Sequence, residues 1–348
     1  MSPRNLLRRA IVGSVLVSTW FITVIGGWGD ISRSLAGEAR AGAPSSGAAA
    51  GELRGSVLAG GAELGMPTRL EVTGHELVVL DRYGTEPIVA LERRSGRLLR
   101  GFGREGDGPG EFRSPVSLVV DGSRVAVLDV GLNRVTWLEA SADDFTLQGT
   151  TQLELESAAT DFVLTPGGDF LVSGFLADGR LARVGRDGGL VAYVGPSVEL
   201  DDLPRVRRIE ALQGTLRAAT GGGRVVRTHR FASRIEIVGG ETAATTVTWG
   251  PERFEPRNGE YETRFGYLDS APFPDGFFAL YSGRTREDYP GRANYGAGIH
   301  EFGWDGSLRA EHRLDADVIA IAWSEEDGLL YAARHDPVPE IVVYSLDR

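Results

Sequence analysis

The sequence contains no cysteine and no lysine, and only two methionines and five histidines in 348 residues. Without cysteine there is no disulfide framework, thiolate metal site, cysteine nucleophile or lipid-attachment motif. Without lysine there is no Schiff-base chemistry and no P-loop lysine. All 37 basic residues are therefore arginines, set against 48 acids. Arg4, Arg8 and Arg9 account for three of them, and the remaining 34 face 48 acids, a net charge of −14. A chain that acidic repels polyanions, so nucleic acid is excluded as a partner. Helical patterning is scarce as well. Beyond the N-terminal region no window longer than ten residues carries a 3.6-residue period.

Glycine, by contrast, is abundant, with 48 residues spread along the chain, about twice the usual share of ~7%. A hydrophobic fraction of 42% leaves enough apolar surface for a sizeable core. The three early arginines precede an uncharged run from Ala10 to Gly29, 20 residues long, about the length a helix needs to cross ~30 Å of hydrocarbon. Positive charge before the run keeps residues 1–9 cytoplasmic and exports the chain beyond the run. Residues 1–30 thus read as a transmembrane anchor or a cleaved signal peptide, with Ser34-Leu35-Ala36 and Ala39-Arg40-Ala41 as small-residue cleavage sites. Either reading predicts an extracytoplasmic body, in the periplasm or at the cell surface. Residues 31–52, rich in Ala, Gly and Ser, read as a flexible linker.

The segment 53–348 repeats itself. Pro67 and Pro115 open parallel stretches in which a short apolar strand, a Gly-containing turn and a second strand ending Val-Leu-Asp are succeeded by a third strand. Four further copies begin near Thr160, Thr215, Gly266 and Ala316. Six copies of about 49 residues match the four-stranded blade of a β-propeller. The expected fold is all-β: a six-bladed propeller of four-stranded antiparallel blades. The last copy has only three strands before Arg348, while the region around Arg54–Pro67 parallels the outer strand and connector of the first blade. An N-terminal strand is therefore expected to complete the last blade and close the ring.

The stretch Gly103–Pro115, GREGDGPGEFRSP, with the adjoining LVVDGSRVAVLDVGLNRV, resembles NHL-type six-bladed propellers. The stretch from Tyr267, with ALYSGR, GIHEFGWDGSL, VIAIAWSEEDGLLYAAR and IVVYSLDR, resembles the TolB-like six-bladed propeller proteins of bacteria. The resemblance implies the fold and an exported protein. It carries no agreed catalytic motif.

In a propeller the loops after second strands share a face with the blade-to-blade connectors. That face is expected to gather Asp81, Arg82, Glu105, Asp107, Glu111, Arg113 and Asp129, with Arg284, Arg286, Arg334 and His335 from the last two blades. A rim of acids and guanidiniums suits a polar ligand, with Arg forks gripping carboxylates. Alternatively each Asp caps its own turn. Gly101–Gly106 satisfies G-x-G-x-x-G, but Asp107-Gly-Pro-Gly110 stands where a dinucleotide site needs a helix, so it reads as a tight connector. No H-x-x-x-H, H-E-x-x-H or G-x-S-x-G spacing occurs. No catalytic residue, metal ligand or cofactor is assigned. The reading is a membrane-tethered binding or scaffold module for an envelope protein, a peptide or a saccharide. The alternative is a Ca- or Zn-dependent hydrolase or lyase acting at the channel mouth.

Overall fold

The computed structural model describes residues 49–176, 180–195, 203–221, 223–239, 244–256 and 263–346. The expected N-terminal anchor and nearly all of the linker lie outside them. Among the described residues no helix is long and apolar enough to cross a membrane.

Six mainly antiparallel sheets succeed one another along the chain. Blade one consists of Pro67–Thr73, Glu76–Asp81, Ile88–Glu92 and Leu98–Phe102. Blades two, three and four repeat that order, their innermost strands being Pro115–Asp121, Ala159–Leu164 and Gly214–Ala218. Blades five and six start with Tyr267–Phe273 and Ala320–Ser324. Each innermost strand touches those of both neighbouring blades, the sixth touching the first, so the ring is closed. The physical reason is visible in the core. Alternating apolar residues make each blade oily on both faces, and six separate hydrophobic clusters fill the six spaces between blades. No blade could bury both faces alone.

Ring closure uses the N-terminal side of the body. Ser56–Gly60 forms the outer strand of blade six, antiparallel to Glu340–Ser345. Just before it, Ala49–Leu53 runs parallel to the long outer strand Leu308–Val318 of blade five. Two expectations are corrected here. Blade five has five strands, not four, and strand structure begins at Ala49, inside the stretch read as linker. An eleven-residue edge would otherwise leave a row of unpaired backbone groups, and the added strand covers its middle, Glu311–Leu314. The Gly55 N–H lies 3.2 and 3.3 Å from the two Asp315 carboxylate oxygens and fastens the crossing from one blade to the next.

The Gly-Asp-Gly-Pro-Gly connector is a tight loop: Gly103, Gly106 and Gly110 all have positive φ, and Arg104–Glu105 pairs in parallel with Glu111–Phe112. A short helix, α1 (Arg205–Leu212), interrupts the connector before blade four. At eight residues it is too short to show a period in the sequence.

Candidate functional site

The innermost strands place charge on the propeller axis. Arg69 and Glu71 come from blade one, Ser117 from blade two, Asp161 from blade three, Arg217 from blade four and Asp269 from blade five. Irregular pairing beside Arg69, Asp161 and Asp269 marks a bulge in each strand, a device that re-aims a side chain. The two aspartates then do the same thing. Asp161 accepts the N–H of Phe162 (2.8 Å) and, across the blade boundary, that of Leu216 (2.7 Å). Asp269 accepts the N–H of Ser270 (2.9 Å) and of Ile321 in blade six (3.0 Å).

Two arginines complete the layer. Arg69 reaches Asp161 at 3.0 Å, the Leu216 carbonyl at 2.8 Å and Glu71 Oε1 at 3.3 Å. Arg217 grips both oxygens of Asp269, at 2.9 and 2.7 Å. It also donates to the carbonyls of Leu70 (2.9 Å) and Ile321 (3.3 Å) and to Glu71 Oε1 (2.5 Å). All five of its N–H donors are thus in use. Burial pushes the Asp269 carboxyl up, but Arg217, together with Arg69 and the Ile321 N–H, outweighs it and holds the group below the ordinary carboxylate range. Arg230 faces Asp161 and Asp269 at longer range, without a hydrogen bond or ion pair of its own side chain among the described residues.

Arg69, Glu71 and Arg217 of this layer form the floor of a cavity of about 1060 Å³. Its walls include the strand ends and turns at Thr73–Gly74, Asp121–Gly122, Thr165–Pro166, Ala219–Gly221 and Trp323. These are the first-to-second strand hairpins, so the cavity opens on the face opposite the connectors. Trp137, Glu139 and Gln148 extend it as a groove between blades two and three.

The connector-face residues are engaged locally. Asp81, fully buried, accepts the backbone N–H groups of Gly65 (2.7 Å) and Met66. Burial pushes its carboxyl up, with those N–H groups and His335 pulling the other way. Asp129 accepts from Arg113 N (2.7 Å), Ser114 N (3.1 Å) and Leu132 N (3.0 Å). Glu111 binds Arg104 at 2.7 and 2.9 Å and the Gly108 N–H at 2.8 Å; that N–H, then Arg104, holds its carboxyl low. Arg113 pairs with Asp107 and Arg334 with Glu340. Arg82 donates to Ser114 Oγ at 3.0 Å. Arg284 holds both oxygens of Asp317, at 2.8 and 2.6 Å. The exposed Arg286 lies over the Phe265 ring. His335 donates from Nε2 to the Pro67 carbonyl at 2.7 Å, and burial lowers its pKa. These residues share a face, and each is engaged by its own local contacts.

The axial residues do not stand out in the sequence, although a signal exists. Arg69, Asp161, Arg217 and Asp269 each interrupt the apolar pattern of a first strand, in TRLEV, ATDFVL, TLRAA and YLDSA. A charge at one register in three repeats (Arg69, Asp161 and Asp269), with Arg217 two residues further along at the register of Glu71, points to the common axis. Among the described residues no three His, Asp or Glu side chains converge so as to hold a metal ion.

Comparison with known proteins agrees with this architecture. A protein of Bacteroides fragilis described as exported superposes with a TM-score of 0.58 at 12% identity, over 85% of this chain and 95% of its own. The β-propeller domain of Cps50 (Swd1) from Myceliophteria thermophila gives 0.51 at 11% identity, over 84% and 100%. The Pan2 WD40 domain from Neurospora crassa gives 0.52 at 11%, over 82% and 90%. At such identities the likeness shows the fold alone. No curated protein matches the sequence. The model of the TolB-like 6-blade propeller-like family matches residues 55–326, and the chain belongs to that family.

Proposed function

We propose that this protein is an exported, membrane-tethered binding module that takes an envelope protein, a peptide or a saccharide through the cavity on its hairpin face. The observation that carries the reading is the cavity: about 1060 Å³, on the axis, with a charged floor of Arg69, Glu71 and Arg217 braced by Asp161 and Asp269. Recessed, mostly preformed cavities with a few fixed polar groups are where small ligands and inserted side chains bind. Export and tethering are supported by the arginine cluster before the uncharged run Ala10–Gly29, and export also by the family and the exported neighbour.

The test is chemical crosslinking of the full chain in its native envelope, comparing wild type with Thr220→Trp, which narrows the cavity mouth, and Arg284→Ala on the opposite face. Thr220 is exposed, so the bulky residue leaves the core untouched. Crosslinked species should be lost with Thr220→Trp and kept with Arg284→Ala. The reverse pattern would place binding on the connector face.

A further inference from the structure

We infer that the axial cavity selects a positively charged group on an apolar stem, a lysine-type ammonium or a guanidinium, with Glu71 and Glu139 as its acceptors. This rests on the cavity being the binding site and adds what the ligand must offer there.

The argument is an inventory of donors and acceptors in the recess. Arg217 has no donor left. Arg69 makes three bonds, and the side chains of both arginines are 5% accessible, against 24% for Glu71. The two indole N–H groups in the wall are also taken, Trp137 by Thr151 Oγ1 at 3.0 Å and Trp323 by Glu325 Oε2 at 2.8 Å. Anions therefore find on this floor only the two remaining N–H donors of the nearly buried Arg69. The acceptors differ. Both arginines meet Glu71 through Oε1, and Oε2 accepts no hydrogen bond among the described residues. The side chain of Glu139, half-buried in the groove, makes neither a hydrogen bond nor an ion pair among them. At the rim Asp121 and Arg124 neutralise each other, and Arg186 is exposed and bonded to the Gly168 carbonyl at 3.2 Å, so water screens these charges. The recess thus offers carboxylate oxygen and aromatic surface. An ammonium with a methylene stem complements both, by charge-assisted hydrogen bonds and by packing and cation–π contact on indole. The net charge of −14 beyond residue 9 favours the same partner at long range.

The experiment titrates the full-length protein with trilysine, spermidine, triglutamate and maltotriose. Tryptophan emission is the readout, with Trp323→Phe identifying the cavity signal. Trilysine or spermidine should bind, triglutamate should not, and Glu71→Gln and Glu139→Gln should each weaken binding about tenfold or more, the loss of one charge-assisted bond. The Glu139 side chain makes no internal hydrogen bond or ion pair among the described residues, so its variant keeps the test sound if Glu71→Gln disturbs the floor. Trilysine alone assigns the cation to a peptide and spermidine alone to a polyamine; either result supports the inference. It is overturned if the cations bind no tighter than triglutamate, or equally well in both variants. A maltotriose response with silent cations also overturns it, yet leaves the cavity standing as a binding site.

Discussion

The guanidinium of Arg217 in blade four lies 2.9 and 2.7 Å from the two carboxylate oxygens of Asp269 in blade five. The two side chains are only 5% and 4% exposed, so water is a poor substitute for either partner and the pair locks adjoining blades at the axis. Removing one partner strands a buried charge. Arg217→Met should cost about 3–5 kcal/mol in urea unfolding, and a double-mutant cycle with Asp269→Leu should show strong coupling, the double variant recovering part of the loss. Additive losses would mean the pair is incidental to the axis.

Asp81 and Asp129 end the second strands of blades one and two and hold connector N–H groups. Asp129→Ala leaves three N–H donors without their acceptor and should lower stability by about 2–3 kcal/mol, while probe binding in the axial cavity is unchanged. A binding defect at preserved stability would return these aspartates to the ligand site.

Gly96 sits in the third-to-fourth turn of blade one at φ +72, and a Cβ there would lie 2.0 Å from the Leu58 carbonyl oxygen in the closing strand of blade six. Gly96→Ala is both conformationally strained and in collision with the ring closure. A loss of at least about 2 kcal/mol is expected, seen as a lower Tm. Gly74→Ala shares the positive φ but meets nothing within 4 Å, so it should cost measurably less, and equal losses would show that the collision adds nothing.

His300 is buried in blade five, its Nδ1 2.8 Å from the Tyr267 hydroxyl. Burial, helped by His312, lowers its pKa from 6.5 to about 4. Between those values the unfolded chain takes up a proton that the native protein refuses, so stability falls as pH drops from 6.5 towards 4. The slope integrates to about 3 kcal/mol. His300→Gln should flatten the denaturation midpoint across that window, and an unchanged profile would assign the acid sensitivity elsewhere.

Alternating apolar residues, Gly-containing turns and a recurring Val-Leu-Asp made the blades legible, because strand and hairpin preferences act over a few residues. The same local signals left α1 unseen, since eight residues carry too little period. They also point to the connector end of the axis rather than to its hairpin end. Arginines and carboxylates on connector loops read as open ligand groups, yet Arg113, Arg284 and Arg334 are occupied by Asp107, Asp317 and Glu340. Each of those partners lies at least 6 residues away in sequence, beyond the reach of a local pattern. Conversely, Arg69, Asp161, Arg217 and Asp269 look like isolated flaws in apolar strands until the ring brings them together.

The sequence by itself determined that this chain folds as a wheel of small sheets, because each repeat exposes two oily faces that only its neighbours can cover. Tertiary structure alone decided where the wheel is hollow, which arginines have donors to spare and which carboxylates remain open. Those properties depend on pairs such as Arg217 and Leu70, 147 positions apart along the chain. No local preference encodes such a distance.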